Sequence, residues 1–239
     1  MSPKTISSQS IKQYLDEGFL LLPDLVPHEL CDRLINIALE QQNAKDGTFA
    51  PIPMPHKVLP EFLSMLRYPP VVAVIEQLVG GRASGLGGEF FYMRPGTPGF
   101  AIHQDNAYVQ APVDVFCSTW TALCDVDREN GALYFFSGSH KFGQLPIRER
   151  EFEPVPGQNP NAEARECIMP AKLERIDIEV KKGSTVFLNS LLVHGSNTNR
   201  SNRFRYSFVA TYIRKGQPYR PGYAQKRTEV NLYSDLPIN

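Results

Sequence analysis

Residues 203–213 of the chain read RFRYSFVATYI. Aromatic and β-branched residues dominate it, as is typical of a β-strand. Because side chains alternate along a strand, one face carries Arg203, Arg205, Ser207, Val209 and Thr211, and the other carries Phe204, Tyr206 and Phe208. The pattern therefore predicts a strand with one aromatic face and one face that begins with two arginines.

Similar segments recur from about residue 84 onward. The predicted strands cover residues 89–93, 115–126, 132–136, 176–180, 184–188 and 203–213. Turn-forming RPG, ENG, SGS and KG sequences separate them. The stretch 148–172 has little periodicity, so we expect a functional loop there, such as a lid, or disorder.

The first third of the chain is helical in pattern. Apolar residues at three- and four-residue spacing predict helices over residues 10–17 and 27–42, and the second begins at Asp24 or Pro27. Between these helices, GFLLLPDLV predicts a short buried strand. A third helix is predicted over residues 70–79, where a Gly-Gly pair follows.

These elements predict an α+β fold that is mainly β. Helices over about residues 1–82 would buttress an antiparallel double sheet over about residues 83–215. No repeat or low-complexity linker divides the 239 residues, so we expect a single domain over residues 1–239.

Composition excludes several classes of function. Lysine plus arginine equals aspartate plus glutamate, 25 against 25, which argues against a nucleic-acid partner or an anionic membrane surface. No apolar run reaches the roughly 20 residues of a membrane span. The 4 cysteines form no CxxC pair and are expected to be reduced. Neither a signal-peptide pattern nor an SKL ending is present, so we expect a cytoplasmic protein.

The sequence AIHQDNAYV, residues 101–109, places His103 and Asp105 two positions apart. In a strand such residues share a face and lie about 7 Å apart. A neutral imidazole and a carboxylate can then bind one metal ion. The motif alone is weak, because HxD arises by chance and strand histidines are often only hydrogen-bonded.

His194, in FLNSLLVHGSN, is the expected third ligand. His140 in SGSH competes with it, although its turn-forming context favours a structural role. His28 and His56 lie in the helical region and are expected to be solvated. Two histidines and one carboxylate leave coordination sites open, as is typical of oxygen-activating non-haem iron(II), whereas zinc favours tetrahedral closure.

Arg205 follows these ligands within an apolar strand segment. Burying an unpaired charge is costly, so its guanidinium needs an anion. The planar guanidinium matches a carboxylate with two hydrogen bonds. Either an internal carboxylate or a dicarboxylate cosubstrate, bound to the metal at its other end, would satisfy it.

The chain resembles the phytanoyl-CoA dioxygenase (PhyH-like) family of iron(II)/2-oxoglutarate oxygenases. The resemblance lies in HQD, WTALCDVDRENGALYFFSGSHKFG, VHGSN, Arg205 and the opening YLDEGFLLLPDLVPHEL, and extends from about residue 11 to residue 213. It implies a double-stranded β-helix, the cupin-like jelly roll, in which His103, Asp105 and His194 hold Fe(II). It also implies that Arg205 binds the far carboxylate of 2-oxoglutarate.

The resemblance implies further cosubstrate contacts. Ser196, in HGS, would assist Arg205. Trp120 matches a tryptophan that lines the cosubstrate pocket, although core packing explains it equally well. Lys57, in HKVLPEF, loosely matches a lysine that reaches the cosubstrate in some members, and a solvated surface lysine is the alternative. Ser207, one strand step beyond Arg205, is a further candidate.

The sequence thus predicts a dioxygenase that uses Fe(II), 2-oxoglutarate and O2 to hydroxylate or otherwise oxidise a small organic metabolite, with release of succinate and CO2. Asp105 favours this over halogenation, since halogenases of the family have a small residue there. Asn106 and Tyr108 are candidates for substrate contact from their position only. The alternatives are a metal-binding jelly-roll module without turnover, or a zinc-dependent hydrolase or isomerase on the same triad.

Overall fold

The structure is a computed structural model that describes residues 5–153, 155–159, 162–170, 172–222 and 226–233. Its α-helices are α1 (Ser8–Glu17), α2 (His28–Leu39), α3 (Gln42–Lys45), α4 (Pro60–Leu66), α5 (Pro69–Leu78) and α6 (Asn106–Val109). Its strands are β1 (Phe19–Leu22), β2 (Ile52–Pro53), β3 (Ala83–Met93), β4 (Phe116–Ala122), β5 (Leu133–Phe136), β6 (Ile147–Glu149), β7 (Arg165–Cys167), β8 (Arg175–Ile178), β9 (Thr185–Asn189), β10 (His194–Ser196) and β11 (Arg205–Arg214). Among the described residues, no helix has the length and apolarity needed to cross a bilayer.

Local chemistry sets both ends of α1. The Ser7 hydroxyl accepts a hydrogen bond from the amide of Ser10, which satisfies a donor that the first helical turn leaves free. The helix ends at Gly18, whose φ of 89° is readily adopted only by glycine. The chain therefore reverses at Gly18 and enters β1 directly.

The strands form two main antiparallel sheets and one hairpin. The large sheet has 6 strands in the order β1-β9-β4-β11-β3-β2, and the small sheet has 3 strands in the order β10-β5-β8. Strands β6 and β7 pair with each other. The large and small sheets pack face to face through a common apolar cluster that includes Phe19, Trp120, Val186, Leu133 and Phe135.

A second core lies on the other face of the large sheet. There α4 and α5 cover rings from β3 and β11, and the Phe62 ring lies 5.6 Å from that of Phe90 and 5.4 Å from that of Phe208. The helices thus buttress one face of the large sheet, as predicted. The other face is directed toward the small sheet.

The register of β11 determines which side chains lie between the sheets. On β3, Arg205 pairs with Met93, Ser207 with Phe91 and Val209 with Glu89. On β4, Val209 pairs with Trp120. Trp120 and Val209 belong to the apolar cluster between the sheets, whereas Phe208 belongs to the core under the helices. The alternation predicted from RFRYSFVATYI is therefore confirmed.

Several predicted boundaries were wrong. The second helix ends at Leu39, and α4 and the three-residue strand β10 were not predicted. Within the stretch expected to be a loop, residues 148–172, β6 and β7 pair at the two ends, while residues 154, 160, 161 and 171 lie outside the described part of the chain. Strands β1 and β2 belong to the large sheet, so the N-terminal part contributes strands as well as helices.

Phe208→Ala tests the core under the helices. Phe208 is 1% exposed, and the cavity left by its removal should lower the free energy of unfolding by about 3–5 kcal/mol. Urea titration followed by circular dichroism measures the change. Phe142→Ala, at a residue 48% exposed, is the control and should change it by less than about 0.5 kcal/mol. Equal losses in the two variants would contradict this packing.

Candidate metal centre

The donor atoms of His103, Asp105 and His194 converge. All of them lie within 4.8 Å of one another. Oδ1 of Asp105 is 3.6 Å from Nε2 of His103 and 3.8 Å from Nε2 of His194. A metal ion about 2.0–2.2 Å from each nitrogen and oxygen donor fits between groups spaced in this way. No other such group of histidine, cysteine or acidic residues occurs in the described part of the chain.

The two histidines are held together by their own backbones. The amide of His103 donates to the carbonyl of His194 at 2.9 Å, and the amide of His194 donates to the carbonyl of His103 at 3.1 Å. This reciprocal antiparallel bridge joins the segment after β3 to the start of β10. It brings the two imidazole centroids to 4.3 Å although the residues are far apart in the chain.

Each imidazole is oriented by a nearby carbonyl. Nδ1 of His103 lies 2.9 Å from the carbonyl of Ala101, and Nδ1 of His194 lies 3.0 Å from the carbonyl of Leu192. A carbonyl only accepts hydrogen bonds, so Nδ1 carries the hydrogen in both rings. The lone pair of each Nε2 is then available to a metal ion.

Asp105 does not lie in a strand, contrary to the prediction. Its φ of −60° and ψ of −31° are helical, and α6 begins at the next residue. The amide of Tyr108 donates to the carbonyl of Asp105 at 3.1 Å and closes the turn. The carboxylate therefore reaches the histidines because the chain turns after His103, and not because side chains alternate.

The electrostatics of Asp105 and His194 favour the forms that bind metal ions, whereas those of His103 favour its protonated form. Burial would raise the pKa of Asp105, but His194 and His103 together hold it well below its usual range. Burial and the neighbouring His103 lower the pKa of His194 to about 4. For His103, burial lowers the pKa, but the hydrogen bond and charge of Asp105 outweigh it and raise the pKa. Ionised carboxylate and neutral imidazole are the forms that bind metal ions.

Gln104, between the two ligands of the HxD motif, is a structural residue that sequence reasoning missed. It is fully buried. Its Nε2 donates to the carbonyls of Gly143 and Leu191 at 2.9 and 2.6 Å, and its Oε1 accepts from the amide of Leu145 at 2.8 Å. Gln104 thus ties the HxD turn to the loop that precedes His194. Sequence reasoning missed this role because the amide side chain of Gln104 is not a typical metal ligand.

Arg205 is buried between the sheets without a carboxylate partner. It is 3% exposed, and burial lowers its pKa to about 10. Nη1 donates to the carbonyl of Gly131 at 2.6 Å, but Nε has no hydrogen-bond partner among the described residues. Among all the described residues, no acidic group lies within ion-pair distance of Arg205. The alternative of an internal salt bridge is therefore not supported.

Two of the other predicted cosubstrate residues, Trp120 and Ser207, lie beside Arg205. The other two, Ser196 and Lys57, form hydrogen bonds with the backbone. Trp120 lies beside Arg205, with its ring centroid 5.6 Å from the guanidinium carbon, and it also packs in the apolar cluster. Ser207, next to Arg205 on the same face, has a buried hydroxyl without a described partner. The Ser196 hydroxyl accepts from the amide of Phe100 at 3.0 Å. Lys57 is exposed, and its ammonium donates to the carbonyl of Lys226 at 3.0 Å and holds the C-terminal segment.

The two predicted substrate contacts have different surroundings. Asn106 is buried, and its amide exchanges two hydrogen bonds with the backbone of Ala111 at 2.9 and 3.0 Å, so a substrate contact would have to break them. Tyr108 is half-buried, with its ring centroid 6.3 Å from that of His103. Arg220 and Arg227, which sequence reasoning missed, donate to the carbonyl of Tyr108 and brace α6 from the C-terminal segment.

The remaining histidines lie outside the centre. His140 is not part of the group of converging donor atoms, and its Nε2 lies 3.0 Å from the carbonyl of Leu15. His28 is exposed, as predicted. The prediction for His56 was wrong: it is 7% exposed, and burial and the neighbouring Lys57 lower its pKa to about 4. Its neighbours in the sequence, Pro55 and Lys57, gave no indication that the side chain is buried.

The family model for phytanoyl-CoA dioxygenase (PhyH) matches residues 14–207. The chain belongs to this family. A probable phytanoyl-CoA dioxygenase of Caenorhabditis elegans is 27% identical over 237 residues, covering 87% of this chain and 75% of that protein. The peroxisomal phytanoyl-CoA dioxygenase of Homo sapiens is 33% identical over 105 residues, which are 44% of this chain and 30% of that protein.

Solved structures show the same fold as this PhyH-family chain. The α-ketoglutarate-dependent carbocyclase SnoK from nogalamycin biosynthesis has a TM-score of 0.73 at 20% sequence identity. The match covers 97% of this chain and 98% of the SnoK chain. The epimerase SnoN, in complex with Fe3+, α-ketoglutarate and nogalamycin RO, has a TM-score of 0.69 at 20% identity and covers 95% of both chains. The predicted jelly-roll fold and the family resemblance are therefore confirmed.

Gln104→Ala tests whether this residue positions the ligands of the PhyH-family centre. Loss of its hydrogen bonds should loosen the HxD turn and weaken Mn(II) binding by about 10-fold or more, the usual scale for residues that orient metal ligands. Isothermal titration calorimetry measures the affinity. Gln13→Ala, on α1, is the control and should bind Mn(II) as the wild type does. Unchanged binding by Gln104→Ala would refute the positioning role.

Proposed function

We propose that this protein is an iron(II)- and 2-oxoglutarate-dependent dioxygenase that oxidises a small organic metabolite and releases succinate and CO2. The observation that carries the proposal is the combination of a His-Asp-His centre with a buried guanidinium that lacks an anion among the described residues. Family membership supports the same reaction class. The metal centre and Arg205 both belong to the region between the two sheets.

The donor set favours iron(II) over the alternatives. Two imidazoles and one carboxylate leave further coordination positions for a chelating cosubstrate and for O2. A structural zinc site would be closed by a fourth protein ligand, which the described residues do not supply. A catalytic zinc site with three protein ligands and one water fits the triad, but zinc hydrolysis does not require the buried cation at Arg205, whereas 2-oxoglutarate binding does.

The residues around Arg205 fit a dicarboxylate. The unpartnered Nε of Arg205 and the hydroxyl of Ser207 are buried donors that a carboxylate would satisfy. Trp120 would form an apolar wall beside that carboxylate, and Ser196 still has a hydroxyl hydrogen to donate. Together these side chains would hold 2-oxoglutarate by its far end and direct its keto-acid end toward the metal centre.

Bound iron and 2-oxoglutarate supply the oxidising power for attack on a C–H bond. The protein provides orientation and exclusion of water. His103 and His194 keep their Nε2 atoms on one point through the reciprocal backbone bridge. Arg205 fixes the cosubstrate, and the apolar cluster behind Trp120 keeps water from that side.

Other properties extend this proposal. The substrate is a small molecule, and the neutral balance of 25 basic and 25 acidic residues favours neither a nucleic-acid nor a membrane partner. A cytoplasmic location and a single domain over residues 1–239 stay predictions from the sequence. The metal-binding module without turnover is disfavoured, because binding a metal ion alone does not require a carboxylate-binding arginine.

Succinate release tests the reaction class. The protein should convert 2-oxoglutarate to succinate when supplied with Fe(II) and O2, and His194→Ala should abolish the conversion by removing a metal ligand. Enzymatic or chromatographic assay of succinate measures it, with His28→Ala as the matched control at full activity. A lack of succinate in the presence of Fe(II) and O2 would contradict the dioxygenase proposal and favour the zinc hydrolase alternative.

Arg205→Met tests the cosubstrate site. Removing the cation should weaken 2-oxoglutarate binding to the Mn(II)-loaded protein by about 2–5 kcal/mol, the scale for loss of one partner of a buried charge pair. Mn(II) affinity itself should not change. Calorimetry measures both affinities, and Arg203→Met is the control because Arg203 is exposed and pairs with Asp127. Normal 2-oxoglutarate affinity in Arg205→Met would exclude the assigned role.

A further inference from the structure

Glu89 lies on the face of the large sheet that is directed toward the small sheet, which we call the inner face. It is paired with Val209 on β11, and Val209 is paired in turn with Trp120 on β4. All three therefore share the face that contains Arg205, and this face meets the small sheet. A carboxylate is thus directed into the same region as the metal centre and the cosubstrate residues.

Aromatic rings connect this carboxylate to the metal centre. Phe91 follows Glu89 by one strand step, so it shares the inner face. Its ring centroid lies 5.6 Å from that of Phe100, which lies 5.8 Å from that of His103. Tyr108 flanks His103 on another side at 6.3 Å. The wall between Glu89 and the metal ligands is therefore aromatic.

These rings are not part of the packed core. Phe91, Phe100 and Tyr108 are each only half-buried, and none belongs to a hydrophobic cluster of the described residues. Large aromatic side chains that stand beside a metal centre without core packing are the usual lining of a substrate pocket. We therefore treat them, together with Glu89, as the substrate side of the site.

Glu89 lacks a cationic partner. No lysine, arginine or histidine lies within ion-pair distance of it among the described residues, and its hydrogen bond is to Nδ2 of Asn159 at 2.7 Å. Burial raises the pKa of Glu89 to about 7, and the hydrogen bond from Asn159 only partly opposes this rise. Glu89 is half-buried, and a carboxylate that loses part of its hydration without gaining a cation is costly to keep ionised unless a ligand completes it.

We propose that Glu89, Phe91 and Phe100 form a subsite for an ammonium group, and that the substrate of this enzyme is an amine. This inference rests on the proposed function and adds the substrate class to it. The carboxylate supplies the counter-charge, and the ring faces attract a cation through their electron density. The ammonium group would bind at Glu89 while another part of the substrate lies at the metal centre.

A structural role for Glu89 is the alternative. Asn159 belongs to the segment between β6 and β7, so its hydrogen bond to Glu89 could serve only to hold that segment against β3. The two roles differ in what they require of the side chain. Attachment of Asn159 needs only an acceptor oxygen, which glutamine also offers. Binding of an ammonium group needs the negative charge, which glutamine lacks.

Glu89→Gln separates the two roles, with Glu89→Ala as the second variant. The probes are matched amines, alcohols and carboxylates built on hexyl, cyclohexyl and phenylethyl groups. Calorimetry and thermal shift measure their binding to protein loaded with Mn(II) and 2-oxoglutarate. Wild type should bind at least one amine about 10-fold or more tightly than its alcohol and carboxylate counterparts, on the scale of a desolvated ion pair with cation–π support. Glu89→Gln should lose this preference and keep normal Mn(II) and 2-oxoglutarate affinity.

Two results would overturn the proposal. One is an absence of amine preference in the wild type. The other is a preference that survives in Glu89→Gln and is lost only in Glu89→Ala, which would assign Glu89 to the attachment of Asn159. Failure of the dioxygenase proposal would look different, because 2-oxoglutarate binding and succinate release are measured without any amine and do not depend on Glu89.

Discussion

The reciprocal backbone hydrogen bonds between His103 and His194 are the constraint on which the rest of the site depends. At 2.9 and 3.1 Å they join the segment after β3, in the large sheet, to β10, in the small sheet. Metal ligands must be placed to within a few tenths of an ångström, and side chains on separate loops rarely achieve this without backbone support. Here the backbone bridge sets the distance between the histidines. The buried amide of Gln104 fixes the turn that brings in Asp105.

The two faces of the large sheet have different roles. Its outer face, with Phe90 and Phe208, packs against helices and belongs to the main hydrophobic core. Its inner face carries Arg205, Ser207 and Glu89, polar groups that a stable core would not contain. Because side chains alternate with a period of two, one strand can serve both purposes without compromise. The helices therefore supply the stability that permits polar groups between the sheets.

Two unpaired charges of opposite sign characterise this inner face. Arg205 is buried and Glu89 is half-buried, and both lack ionic partners among the described residues. Such groups reduce the stability of the protein alone, and they are typical of sites whose binding energy is completed by ligands. Arg205 fits one end of a dicarboxylate cosubstrate, whereas Glu89, beside aromatic rings, fits a cation. The charges thus assign cosubstrate and substrate to different parts of one face.

Local sequence was sufficient to identify the metal-binding groups of the centre and the main strands. His103, Asp105, His194 and Arg205 could be identified because metal-binding and anion-binding groups are few and chemically distinctive, and β11 because its alternation is long and regular. The way in which Asp105 reaches the metal became clear only from the folded chain, because an HxD motif can bring its carboxylate to the histidine either in a strand or in a helical turn. It also decided the roles of Gln104 and Glu89 and the burial of His56. Those roles arise from partners distant in the chain, and local pattern contains no record of which segments will meet.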